Sequence, residues 1–214
     1  HREITRGQRS RNHTKVAAIV GYTNAGKSTL LNRLTDADVL EEDKLFATLD
    51  PTTRNLRLDS GQEILLTDTV GFIRKLPHHL IEAFRSTLEE AKYADFIIHV
   101  VDASNPQWEK QMNIVYGTLH NLGVEGKKTI TLLNKQDKVE QGEVIKDLKA
   151  DVTLKISAVT GEGLMQVKET LEEVLREDKQ LLEGVFPYEV AGQISIIRKY
   201  GELLKEEYRD NGIY

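Results

Sequence analysis

Gly21, Tyr22, Thr23, Asn24, Ala25, Gly26, Lys27 and Ser28 match the spacing G-x-x-x-x-G-K-S/T, in which each fixed residue type has a task in holding phosphate. The glycines let the backbone N–H groups from Asn24 to Thr29 curl around phosphate oxygens, and the N-terminus of a following helix adds partial positive charge. Lys27 brings a full charge to the β and γ phosphates and is the first candidate catalytic residue. Ser28 offers a hydroxyl to magnesium, an ion that otherwise keeps waters and takes phosphate oxygens.

Asp68, Thr69, Val70 and Gly71 form a second group, with the Asp68 carboxylate expected in the magnesium shell and the Gly71 N–H expected to sense a γ-phosphate. Asn134, Lys135, Gln136 and Asp137 form a third. A carboxylate at Asp137 can accept from guanine N1–H and the 2-amino group, neither of which adenine presents, so ATP is expected to bind poorly. Asn134 either braces the loop or contacts the base, and the stem of Lys135 can lie over the ring. Ser157 and Ala158 complete the set, with backbone N–H groups available to the guanine oxygen.

These groups work together only if the chain brings them to one edge, and the hydrophobic pattern shows how. Lys15 to Val20 is a β-branched run ending at Gly21, and Lys27 to Leu34 carries apolar residues at helical spacing, so strand, glycine loop and helix follow one another. Residues 36 to 50 are polar and acidic and form a long loop, a candidate switch. Thr52 to Leu58 and Glu63 to Thr67, joined by Asp59, Ser60 and Gly61, read as an antiparallel hairpin. Leu80, Ile81, Phe84, Leu88 and Ala91 mark one helix face, with Pro77 near its start.

Strands over 95–101, 128–133 and 152–156 then alternate with helices over 107–122, 140–150 and 161–178. The fold class is α/β: a doubly wound, mostly parallel six-stranded sheet with one antiparallel edge strand. In such sheets ligands sit beyond the carboxyl ends of the strands, where all the groups above fall. Phe186 and Pro187 precede an amphipathic stretch from Val190 to Tyr208, which reads equally as the start of a small second domain or as a terminal helix.

Composition bounds the alternatives. The chain has 214 residues, 39% hydrophobic and 29% charged, enough for one large core with an appendage. With no cysteine, disulfides, zinc-thiolate sites and thiol nucleophiles are excluded, and a cytoplasmic location is the expectation. No apolar run approaches the roughly 18 to 20 residues that cross a bilayer. A net charge of −5 argues against a surface devoted to nucleic acid, and the Arg-rich opening is expected to be a solvated linker. The expected organisation is a basic linker over 1–14 from a region preceding this chain, a nucleotide-binding domain over 15–180, and the start of a small C-terminal domain over 181–214.

The P-loop wording, Leu45 to Thr53 (Leu-Phe-Ala-Thr-Leu-Asp-Pro-Thr-Thr), Asp68 to Ile73 and Leu76 to His79 together resemble HflX-type GTPases of the translation-factor class. The resemblance covers residues 10 to 180 closely and the tail loosely. It implies a GTP-binding and GTP-hydrolysing protein, with GTP and GDP as ligands and the 50S large ribosomal subunit and its rRNA as partner. Ribosome splitting or rescue, a cytoplasmic location and a monomeric state are expected with it. It brings Phe46, Ala47, Thr48, Leu49 and Asp50 into the nucleotide site as the first switch. Thr48 is the expected magnesium and catalytic threonine, because Thr52 and Thr53 run straight into a strand. The metal set is then Ser28, Thr48 and Asp68, and the catalytic set Lys27, Thr48 and Gly71. Val159 departs from the lysine that the family usually carries after Ser-Ala, which bears on nucleotide affinity at most.

Phe72 stands where many GTPases carry a glutamine that orients water, and it can neither donate nor accept a hydrogen bond, so slow intrinsic hydrolysis is expected. Either a partner reorganises the site, or Arg74, His78 or His79 assists. Asn24 occupies the loop position where some related GTPases hold potassium. Two alternatives accompany the hydrolase: a module that reads GTP against GDP with negligible turnover, and a ribosome-assembly GTPase of the Era-like or Obg-like kind.

Overall fold

A run of apolar residues with no polar alternation builds a strand covered on both faces, and the first such run forms β1, Lys15–Gly21, buried from Val16 onward at the centre of a six-stranded sheet in the computed structural model. The structure describes residues 14–35, 52–69, 71–72, 90–139, 146–177, 183–190, 192, 194 and 205–214. In chain order the remaining elements of the sheet layer are α1 (Lys27–Thr35), β2 (Thr52–Arg57), β3 (Glu63–Asp68), β4 (Phe96–Asp102), α2 (Trp108–Asn121), β5 (Thr129–Asn134), β6 (Val152–Lys155) and α3 (Leu164–Glu177).

The strand order is β2-β3-β1-β4-β5-β6, parallel throughout except for the antiparallel edge strand β2, as the sequence pattern predicts. The hairpin turn forms where expected: Gly61 takes φ +81 and donates its N–H to the Leu58 carbonyl, a backbone state open to glycine. Register places Ile19 opposite Asp68, Gly21 opposite Val100 and Asp102 opposite Asn134, so the strand ends bearing polar residues share one edge. Val16, Ala18, Val20, Ile97, Val115 and Leu119 pack together on one side of β1 and β4.

Residues 80–89 of the expected second helix lie outside the described residues, while 90–93 are helical and Ala91 is buried. One expectation is corrected. The helix predicted over 140–150 does not extend through its described part, since residues 146–147 are irregular and 148–150 turn and bend. Asp147 is the reason: its buried carboxylate faces inward, accepting from Tyr116 Oη at 2.5 Å and Thr131 Oγ1 at 2.7 Å, and its Oδ1 takes the Lys149 N–H at 3.0 Å. An aspartate that satisfies the backbone two residues on competes with helix formation.

The chain divides into two compact units, Thr14–Glu173 and a smaller one that includes Val174–Tyr214. Within the smaller unit Tyr208–Arg209 and Gly212–Ile213 pair antiparallel, and Phe186 and Ile213 exchange two backbone hydrogen bonds of 2.8 Å. Residues 205–208, the end of the amphipathic stretch expected from Val190 to Tyr208, are therefore not helical.

His99, in the middle of β4, is buried with its ring edge-on to Tyr116 and Nδ1 3.9 Å from Asp147 Oδ2. Burial pushes its pKa down from 6.5 to about 4; Asp147 opposes the shift and Lys27 adds to it. Between those values the unfolded chain binds a proton that the fold refuses, so stability falls as pH drops through that window. The full effect is about 3 kcal/mol. In denaturant titrations, His99→Gln is expected to lose about 2 kcal/mol less stability than the parent between pH 7 and pH 5.

Candidate nucleotide-binding site

The loop between β1 and α1 turns through two positions of positive φ, Asn24 at +59 and Gly26 at +95. A Cβ on Gly26 would stand 2.3 Å from Asn134 Nδ2, and one on Gly21 2.3 Å from the Val100 carbonyl oxygen, so the spacing of glycines reflects close packing as well as phosphate chemistry. Lys27 begins α1, is buried, and donates Nζ to its own loop at the Tyr22 carbonyl, 3.2 Å away. Desolvation holds its pKa below the usual lysine value, with Asp68 pulling it back up.

Asp68 ends β3, buried, and its Oδ2 accepts from Ser28 Oγ at 2.9 Å. Beyond it the Thr69 hydroxyl and N–H both bond the Ile19 carbonyl, tying this stretch to β1. A Cβ on Gly71 would approach Thr23 Cα to 2.8 Å and Lys27 Nζ to 3.1 Å, so Gly71 lies against the loop and the lysine head. Lysine ammonium, serine hydroxyl, aspartate carboxylate and a glycine backbone thus converge at one strand edge.

Asn134 ends β5. Its Nδ2 donates to the Ala25 carbonyl at 2.8 Å, while its Oδ1 accepts the Ala158 N–H at 2.9 Å, so the side chain braces two loops. Lys135, at φ +66, donates Nζ to the Asn24 carbonyl at 2.8 Å and to Asp102 Oδ2 at 2.7 Å. Gln136 turns inward, its Nε2 donating to the Leu133 carbonyl at 3.1 Å. Asp137 is exposed and oriented by Ser157 Oγ at 2.6 Å, leaving carboxylate capacity toward solvent. Ala158 is buried; Val159 is 60% exposed and contributes its carbonyl, which accepts from Arg33 Nη2.

The structure therefore gathers Gly21 to Thr29, Asp68, Thr69, Gly71, Asn134 to Asp137 and Ser157 to Val159 at one edge. Phe46, Ala47, Thr48, Leu49, Asp50 and Val70 lie outside the described residues, as do Arg74, His78 and His79. Phe72 is 1% exposed and packs with Val16, Ala18 and Val20 in the core, its backbone bonded to Gly21 and Thr23. Its ring is thus committed to the interior. Two residues of the site escaped the sequence reading: Asp102, which holds Lys135, and Arg33, which reaches Val159. Asp102 ends a strand of the parallel sheet, and that position was the signal available for it.

Removing the Asn134 amide leaves the Ala25 carbonyl and the Ala158 N–H without their partner, at a cost of about 1–3 kcal/mol for each buried group. Asn134→Ala is expected to lower the unfolding free energy by about 2 kcal/mol or more in denaturant titration, with guanine-nucleotide affinity falling alongside.

A family model described as a 50S ribosome-binding GTPase matches residues 16–135. The GTPase HflX of Lacrimispora saccharolytica is 64% identical over 214 residues, covering 100% of this chain and 51% of that protein. The GTPase HflX of Caldanaerobacter subterraneus subsp. tengcongensis is 46% identical, covering 100% of this chain and 49% of that one. The chain spans about half the length of the curated relatives it matches. Among solved structures, a GTP-binding protein from Sulfolobus solfataricus in complex with GDP aligns with TM-score 0.66 and 27% identity, over 83% of this chain and 58% of that one. With a family model matching residues 16–135, over half of its length, the chain belongs to the 50S ribosome-binding GTPases, and it is similar along its whole length to GTPases HflX.

Proposed function

We propose that this chain is the nucleotide-binding and hydrolysing part of a ribosome-associated GTPase: it binds GTP with magnesium, hydrolyses it slowly alone and is accelerated by the large ribosomal subunit. The observation that carries this is the joining of the phosphate loop to the base-reading loop through Asn134. The Sulfolobus solfataricus neighbour, held with GDP, supports the ligand, and the family supports the ribosomal partner. A cytoplasmic location accords with this role, and no described helix is long and apolar enough to cross a membrane. The proposed G domain spans 15–180, with the start of a small C-terminal domain over 181–214; the compact unit Thr14–Glu173 supports the first.

Lys27 would exchange its bond to the Tyr22 carbonyl for phosphate oxygens, and the loop N–H groups from Asn24 to Thr29 would surround the β-phosphate. Gly71, whose missing side chain leaves room beside Lys27, would turn its N–H to the γ-phosphate. Ser28 and Asp68 fit magnesium, being hard oxygen donors 2.9 Å apart at the phosphate end of the loop, with Thr48 as the proposed third residue. When bound, that ion neutralises charge on the phosphates. Asp137, steered by Ser157, would take the guanine N1–H and amino group. Asn24, exposed at the loop tip, is proposed to contribute to a potassium site.

Phe72, committed to the core, leaves no side chain at that position to orient water, which also supports a second reading as a GTP/GDP-reading module with negligible turnover. Turnover of GTP by the 214-residue chain, with and without 50S subunits, in matched potassium and sodium buffers and with ATP as control, separates the two. The hydrolase reading expects low basal turnover, stimulation at least tenfold by subunits and no use of ATP. Tight GTP binding without turnover under any condition would favour the module. Asp137→Asn is expected to move preference from guanine to xanthine nucleotides, measured as the ratio of their dissociation constants.

A further inference from the structure

Asp102 closes β4 opposite Asn134, and neither a phosphate nor a base role accounts for its carboxylate. Both of its oxygens are engaged. Oδ1 accepts the Ser104 N–H at 3.1 Å and Ser104 Oγ at 2.6 Å, which fixes the carboxylate in a local turn. Oδ2 accepts Lys135 Nζ at 2.7 Å, and the same ammonium donates to the Asn24 carbonyl at 2.8 Å. The Asp102 side chain is 14% exposed and that of Lys135 24%, so the pair is largely shielded from water.

The strand ends make this a rigid mount, because the Ala103 N–H also bonds the Asn134 carbonyl at 2.9 Å. Asn24 is the exposed end. It sits at φ +59, in the left-handed region that asparagine enters more readily than most residues with a side chain, and its carbonyl is held by Lys135. A lysine stem is a four-carbon chain with many rotamers, so the ammonium stays over Asn24 only if something anchors it. The Asn24 to Ala25 peptide that this contact orients donates its N–H to the Tyr22 carbonyl at 3.2 Å, closing the turn that leads into Gly26 and Lys27.

We propose that Asp102 is a positioning residue for nucleotide binding: by anchoring Lys135 against the Asn24 carbonyl it sets the phosphate loop in its binding conformation and keeps the lysine stem at the base site. This rests on the nucleotide reading above. Because Asp102 acts through Lys135 and not through Asp137, its loss weakens GDP and GTP by the same factor and leaves the choice between guanine and xanthine unchanged.

The test is a double-mutant cycle on the 214-residue chain, reading dissociation constants and off-rates of a fluorescent GDP analogue together with thermal unfolding without nucleotide. Asp102→Ala is expected to weaken GDP about tenfold, mostly through a faster off-rate, the scale of one lost charge-assisted hydrogen bond. In a Lys135→Met background the same change is expected to have almost no further effect. Asp102→Asn retains an oxygen for Ser104 but loses the charge facing Lys135, so a turn-forming role predicts full rescue and the positioning role predicts a persistent defect. Additive losses in the cycle, wild-type GDP binding by Asp102→Asn, or unaltered binding by Asp102→Ala would each overturn the proposal. Failure of the unmodified chain to bind GDP would instead overturn the nucleotide reading itself.

Discussion

Asn134 offers one acceptor and one donating amide from the end of a buried strand, and it uses both across two loops distant in sequence. The Ala25 carbonyl and Ala158 N–H it satisfies are buried with it, so each loop depends on the other's being in place. Unpaired polar groups at such depth are expensive, and a network that satisfies them all specifies one arrangement. Gly26 is the steric counterpart of the same contact, since the amide occupies the space a Cβ would take. The phosphate and base regions therefore form one object whose halves are separated along the chain by most of the domain.

A second constraint is charge in a low-dielectric place. Lys27 and Asp68 are both buried at the strand edge, and burial lowers the lysine's pKa while the carboxylate restores part of it. Deeper in the sheet, His99 shares a polar cluster with Tyr116, Thr131 and Asp147. Burial keeps that histidine neutral at physiological pH, and the Tyr116 hydroxyl is pushed above its ordinary range.

Much of this was legible in the order of residue types. The alternation of β-branched runs with helical spacing led to the six-stranded sheet and its antiparallel edge, because burial on two faces leaves a run without polar alternation. The phosphate loop and the Asn-Lys-Gln-Asp group were legible for a different reason: glycine and charged residues at fixed intervals have few other uses between a strand and a helix. The turn at 148–150 was not legible, because a lone aspartate in a polar stretch carries no sign that its carboxylate will be claimed by residues from another helix and another strand. Asp102 was missed for a similar reason, since its partner Lys135 is brought to it only by the pairing of β4 with β5.

By itself the sequence determined the sheet class and the position of the glycine-rich loop between a strand and a helix, which follow from local residue chemistry and from spacing along the chain. Tertiary structure alone decided that Asn134 braces two loops, that Phe72 belongs to the core, and that Lys135 is held by Asp102 over Asn24. The physical reason is that hydrogen-bond satisfaction and burial are settled by groups far apart in the chain. A residue's type sets what bonds it can make, while the partners that the fold delivers set which of them it makes.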